Sequence, residues 1–498
     1  MTAAHPHLDI DPLADKHNPD HFKVGTLSYT KAGLITVFLY LLWGDFCFQL
    51  METVVPSIMP IKLNDLGAPN WALGAILATL PNLMNTAINP FISFRSDRFR
   101  SKWGRRVPFL AGATPFLVIF LILLGYSEPI SIWVQNAVLH GRGSQIYVLL
   151  GVISVLMIGF QFFNLFITSV FYYLFNDVVP RAFLARFMAL FRMVGGISGS
   201  LYSFFIFKYA KTHMAEIFLG AALLYLVVFL LMCWKVKEGE YPPPPENLGH
   251  ERGFFAAART YATECFTHRF YWFFFIANTC VAMTWVSGSY GVLLNTKVIG
   301  LSLDTIGKVG GVTGLISTVL LYPAAMFADR YHPLRVLLIA TIAQTILVPV
   351  GIAFAFTCHL LEPQTRLYVW IGLACLSLPI GTLYGAAELP TLMKLLPQER
   401  YGQFCSANAM IRSVALMVAG IACGVFLDLM KRYDPDPNQC FRFLGVWNLV
   451  FYLGSTLFLC LLYREWKKLG GLTGYQPPRP DLPDHDAMRP PAPATTGK

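Results

Sequence analysis

Residues 96–106 read SDRFRSKWGRR, a charge-dense loop between two long apolar runs, and its reading decides the fold. From the end of the preceding run, Arg95, Arg98, Arg100, Lys102, Arg105 and Arg106 stand against a single acid, Asp97. Residues 328–335, ADRYHPLR, repeat the pattern weakly in the second half of the chain. A second pair of segments agrees with the first: VVPRAFLARF at 178–187 and LLPQERYGQF at 395–404. In both, a proline is followed seven residues later by phenylalanine, Pro180 with Phe187 and Pro397 with Phe404. Parallel halves of this kind mark proteins that rock one helical bundle against another.

Outward from that loop the chain is apolar. Of its 498 residues, 55% are hydrophobic and 13% charged, against about 25% charged in a typical soluble domain. Runs of bilayer-spanning length recur from end to end. They are continuous rather than alternating, which excludes a β-barrel. The expected fold class is an all-α membrane protein of twelve transmembrane helices in two six-helix bundles. The spans are predicted at 33–58, 70–94, 107–126, 146–174, 185–209 and 214–235, then 270–294, 305–327, 333–357, 367–393, 404–430 and 442–463.

The domains follow: an N-terminal tail over 1–32, a first bundle over 33–235, a linker over 236–269, a second bundle over 270–464 and a disordered tail over 465–498. The linker's four prolines favour an extended stretch, and the sequence after them could form an amphipathic surface helix. The net charge of +10 comes from short loops that set orientation. It places both termini in the cytoplasm and the chain in the cell membrane, or the inner membrane if bacterial. No basic patch is interleaved with exposed aromatics, so nucleic acid is not an expected partner. The N-terminus lacks the pattern of a cleaved signal peptide. The ten cysteines include no CxxC pair. Cys358 and Cys440 fall in loops on one side and could pair or remain free thiols.

The stretch SDRFRSKWGRRVPF resembles the signature loop of the major facilitator superfamily. Its form, S-D-R followed after a spacer by G-R-R-x-P-F, is similar to the sucrose/proton symporters and the related glycoside–pentoside–hexuronide cation symporters. The likeness continues upstream through Gly44, Gln49, Pro56, LGAP at 66–69 and Pro90, and is clearest over residues 40–125. It implies a gate made by Asp97, Arg98, Gly104, Arg105 and Arg106, echoed by Asp329 and Arg330. The physics agrees: arginines can hold Asp97 by charge-assisted hydrogen bonds, and Gly104 permits a tight turn. The same arginines could instead serve topology alone. The sequence departs from the pattern at Phe94, where a small residue is usual. It departs again in span 4, where FNLFITSVFYYLFNDVVP leaves Asp177 at the end of the run in place of a mid-span acid.

Polar residues inside spans face cavities or other helices. LLWGDFCFQLMETVVPSIMP, residues 41–60, places Asp45, Gln49 and Glu52 on one helical face, with the two acids about 10 Å apart along the axis. A charge at such a depth costs roughly 2.5–3.5 kcal/mol on insertion scales, so each acid is a functional candidate. Asn82, Asn85 and Asn89 make a second stripe, and Gln161, Asn164 and Thr168 a third. Arg192 in span 5 and Arg412 in span 11 are the candidate counter-charges, and Glu388 in span 10 is a third buried acid. Span 7 adds Asn278, Thr284, Trp285, Ser287 and Tyr290.

Proton coupling is expected from Asp45, Glu52 or Glu388, because a carboxyl group in low dielectric can load and release a proton at working pH. Substrate binding is expected from Gln49, Asn82, Asn85, Asn89, Gln161, Asn164, Arg192, Asn278, Trp285 and Arg412. Acids, amides and arginine satisfy hydroxyl groups, while an aromatic face covers a sugar ring. The alternatives are plain: Asp45 or Glu52 could be a structural ion pair with Arg192, and the asparagines could be interhelical glue. The expected function is secondary active transport, with proton-coupled symport of a sugar or glycoside first and a nucleoside, organic acid or lysolipid as alternatives. No cofactor is expected beyond the coupling ion, a proton or sodium, and no metal. No nucleophile motif, ligand cluster or phosphate loop suggests an enzyme. The expected partners are a small solute and the bilayer, and the expected state a monomer.

Overall fold

The computed structural model describes residues 21–24, 26–239, 265–397, 401–433 and 436–478. The expected polar stretch 1–20, the amphipathic part of the linker and most of the C-terminal tail lie outside the described residues. Among the described residues, twelve helices are long and apolar enough to cross a membrane. They are α1 Lys31–Asp65, α2 Asn70–Asn89, α3 Val107–Gly125, α4 Gln145–Val178, α5 Arg186–Tyr209 and α6 Met214–Lys235. The second half supplies α7 Arg269–Gly288, α8 Leu303–Tyr331, α9 Pro333–Leu360, α10 Pro363–Leu395, α11 Tyr401–Tyr433 and α12 Pro437–Lys468.

The main corrections concern ends. The first span continues past 58 to Asp65 because Pro56 and Pro60 sit inside the helix without ending it. Span 7 ends at Gly288 rather than 294, and the chain beyond it continues as a separate turn and a π-helical segment, Leu294–Val298. Two further elements were not anticipated. A short helix, Ser127–Ala137, follows α3. Residues expected in the polar tail form a hairpin of β1 His21–Val24 and β2 Leu27–Thr30. Thr30 then caps α1, its hydroxyl accepting from the Gly33 amide at 3.1 Å.

The first six helices pack through α1 on α6 and α3 on both α4 and α6. Their core is aromatic, with Phe171 within 5.3 Å of Phe229 and within 4.7 Å of Phe175 between ring centres. In the last six, α7 packs on α12, α9 on α10 and α12, and α8 on α10. Tyr271 and Phe404 meet at 4.3 Å there. The two sets join chiefly through α2 on α11 and α5 on α8.

That junction lies toward the end opposite the termini, here called the far end. The Asp428 carboxylate accepts from the Asn70 and Trp71 amides at 3.1 and 3.0 Å, capping the start of α2. The Tyr290 hydroxyl donates to the Asn70 carbonyl at 2.9 Å, and Lys297 pairs with Asp65 at 3.2 Å. Gly74 and Gly420 allow backbone to meet backbone: a Cβ on either would strike the other's carbonyl oxygen. The segments that make this seam are π-helical in α2, Ala75–Thr79, and in α5, Tyr202–Ile206. Single-turn π segments of this kind recur at functional places in helices.

Candidate functional site

The polar face of α1 lies among helices of its own bundle. Asp45 is fully buried. Its Oδ1 accepts from the Gln49 amide at 3.4 Å, and Oδ2 has no partner. Glu52 accepts from the Asn164 amide of α4 at 2.5 Å. Neither acid has a cation within ion-pair distance among the described residues. Arg192, the candidate counter-charge, is exposed. Tyr172 stands within electrostatic range of Asp45, Glu52 and Arg192, so the three charges share one neighbourhood without pairing. The structural ion pair considered for Arg192 is therefore absent in this conformation.

The asparagine stripe of α2 divides by role. The Asn82 amide turns back to the Ala78 carbonyl at 2.8 Å, a bond within its own helix. Asn89 accepts from the Ser169 hydroxyl at 2.6 Å and ties α2 to α4. Asn85 and Gln161 are partly exposed.

Across the junction the second bundle handles charge differently. Glu388 pairs with Arg412 at 3.5 Å, both side chains partly exposed. The Arg412 guanidinium sits 4.3 Å from the ring centre of Trp285, so one face of that indole is covered by a cation. Arg192 reaches across from the first bundle into the field of Glu388. Asn278 donates to Asn408 at 3.4 Å, both buried. Asn278, Tyr384 and Glu388 also line a small void of about 10 Å³, at the lower limit for one water.

At the end carrying the termini, the charged loop is organised by residues the sequence did not nominate. Arg105 grips Asp177 through two bonds, at 3.0 and 2.6 Å, and Arg106 reaches the same carboxylate at 3.3 Å. Asp177 lies in the last turn of α4, within the helix and not in the loop after it. Arg106 also donates to the Ser96 hydroxyl at 2.6 Å. Glu238, just after α6, accepts from the amides of Arg105, Arg106 and Val107 at 3.0, 2.8 and 2.6 Å. It thereby neutralises the positive end of α3. Gly104 is required twice, by its φ of +101° and because a Cβ would strike the Glu238 side chain. The side chains of Asp97 and Arg98 lie outside the described residues. Asp329 and Arg330 are exposed.

None of the ten cysteines forms a disulfide. Cys358 donates to the Val298 carbonyl and Cys440 accepts from the Asn70 amide, each at 3.6 Å, so the two loop thiols have separate partners.

Sequence reasoning missed Asp177 as an anchor, together with Glu238, Asp428, Asn408 and the Asp65–Lys297 bridge. Asp428 had a visible signal, an acid in the apolar run GVFLDLM. Glu238 had none, since its partners are backbone amides of a distant segment.

The profile described as Major Facilitator Superfamily matches residues 41–420. The chain belongs to that superfamily and is a membrane transporter with its fold. Among solved structures, a bacterial homolog of the human lysosomal transporter Spinster, inward-facing and unoccupied, superposes with a TM-score of 0.62 at 15% identity. That match covers 88% of this chain and 99% of the other. The nucleoside transporter NupG, in a variant form, gives 0.65 at 10% identity, covering 86% and 100%. A bacterial homologue of the iron transporter ferroportin, inward-facing, gives 0.60 at 13%, covering 86% and 99%. At these identities the likeness concerns the fold.

Proposed function

We propose that the chain is a secondary active transporter that couples proton movement to uptake of a sugar or glycoside by alternating access. The observation that supports this reading best is Asp45, fully buried with one carboxylate oxygen unpartnered and, among the described residues, no cation paired to it. A buried acid without a counter-charge must either exchange a proton or pay the full cost of desolvation. Gln49 and Glu52 continue its face, so proton and solute would be sensed by one helix. With the termini in the cytoplasm, the far-end seam would be the outer gate, closed here. The coupling residue would then face the inner side, where a proton is released.

A second reading, an organic acid as solute, draws on Arg192. Its guanidinium is exposed and makes no ion pair among the described residues, and a carboxylate is its natural bidentate partner. Nucleoside transport is named for one structural neighbour, and a lysolipid remains the remaining alternative on this fold.

The test is uptake of a labelled panel of sugars, glycosides, nucleosides and organic acids into proteoliposomes, with and without a pH gradient. Sugar accumulation that needs the gradient is the expected result. If no sugar is carried and none competes, the sugar reading fails. Organic-acid uptake abolished by Arg192→Gln would establish the second reading instead.

A further inference from the structure

At the far end of the first bundle, away from the central acids, lies a cavity of about 520 Å³. That is within the range of small-molecule sites. Its walls are the last turns of α1, the start of the Ser127–Ala137 helix and the connection between α5 and α6. Lys62 lies in the wall with 9% of its surface exposed. Its ammonium has three protons to donate, and among the described residues its one hydrogen bond goes to the Ser127 hydroxyl at 3.0 Å. That hydroxyl in turn donates to the Leu124 carbonyl, so it offers Lys62 a lone pair and no charge.

The obvious acid is taken. Asp65, on the same wall, is held by Lys211 at 2.8 Å and Lys297 at 3.2 Å. Glu128 lies in electrostatic range of Lys62 without pairing to it, and Glu216 completes the acidic side of the cavity. A buried ammonium with unused donors facing an open volume calls for an anion. Two acids beside it would repel a simple anion and welcome a cation.

We propose that this cavity binds a small zwitterion, its carboxylate or phosphate on Lys62 and its ammonium toward Glu128 and Glu216. The same chemistry occurs in a free amino-containing acid and in an ethanolamine phospholipid headgroup. None of Asp45, Gln49 and Glu52 lines the site, and it touches the far-end seam through Asp65. The inference therefore stands whether or not the carried solute is a sugar.

The test uses the purified full-length chain in detergent, titrated calorimetrically with phosphoethanolamine and, separately, with inorganic phosphate. Saturable binding of phosphoethanolamine is expected, at least 10-fold tighter than that of phosphate. Lys62→Met should weaken it at least 10-fold, and Glu128→Gln should bring it down toward the phosphate value. Thr212→Trp, in a partly solvated connection, should fill the cavity and abolish binding without touching the buried lysine. In a parallel arm, nanodiscs of phosphatidylethanolamine or phosphatidylglycerol are compared by native mass spectrometry for lipid retained on the protein. Retention of the ethanolamine lipid that Lys62→Met removes, without binding of the free compound, would assign the site to a headgroup. No saturable binding in either arm, or binding that survives both Lys62→Met and Thr212→Trp, would overturn the proposal.

Discussion

The two bundles divide the handling of charge in opposite ways. In the first, the deep acids Asp45 and Glu52 have no paired cation among the described residues, while the terminal-end loop is tied down by Arg105, Arg106, Asp177 and Glu238. In the second, the deep acid Glu388 is paired with Arg412, while Asp329 and Arg330 of the matching loop are exposed. Similar loop sequences therefore do not imply similar jobs. A cation held against an acid fixes that acid's charge, and an acid without one can change it. On the proposed coupling, the first bundle would exchange its proton at the centre while its loop stays anchored; the second pairs its central acid and leaves the matching loop residues exposed.

Asp45→Asn should break the contrast most severely. Gradient-driven accumulation in proteoliposomes is expected to fall at least 100-fold, while exchange of solute across the membrane persists. Unchanged accumulation would move the proton to Glu52 or Glu388 and dissolve the distinction between the bundles. The loops give the next largest effect. Asp177→Asn leaves two arginines, one of them nearly buried, without their carboxylate, and should cost about 2–4 kcal/mol of stability. The counterpart Asp329→Asn, at an exposed position, should stay within about 0.5 kcal/mol. Thermal unfolding in detergent separates the two. Equal losses would mean that both loops serve as anchors.

Much of this was legible from the chain. Apolar run length and charged loops specify twelve spans, because a bilayer demands about 20 apolar residues per helix and nothing else in the sequence competes. The polar faces of α1 and α4 were legible through helical spacing, and Asn164 does meet Glu52. Spacing cannot say which acids are paired, since that depends on neighbours from distant helices. Arg192 was a candidate counter-charge for Asp45 or Glu52 by depth alone, yet it is exposed and lies in the field of Glu388. The end of the first span was also missed: the sequence places it at 58, but helix α1 carries Pro56 and Pro60 inside it and continues to Asp65. The Glu238 cap was illegible because backbone amides leave no mark in a sequence.

The second bundle's central pair gives a smaller, sharper test. Glu388→Gln and Arg412→Gln, alone and together, form a cycle in which a coupling of about 1 kcal/mol is expected from a partly solvated pair. The readout is KM for the carried solute, expected to rise about fivefold in each single variant and to recover in part in the double. Independent effects would mean that Arg412 acts through Trp285 and not through the acid.

The smallest expected effect lies in the second loop, at His332. Its ring packs 4.7 Å from Trp466, and burial, with Lys394 and Arg335 nearby, lowers its proton affinity to a pKa of about 4. The unfolded chain takes that proton near its ordinary value of about 6.5, so between the two values the unfolded state binds more protons. Stability from this residue is complete above about pH 6.5 and declines as the pH falls toward 4. After allowance for partial exposure, the loss at pH 5 is on the order of 1 kcal/mol. Unfolding temperatures at about pH 7.5 and pH 5 should therefore differ more in the wild type than in His332→Gln. The first loop, held by arginines and carboxylates, has no histidine to titrate in that range. If His332→Gln keeps the full pH dependence, the second loop is not the acid-sensitive one, and the contrast between the two loops rests on Asp177 alone.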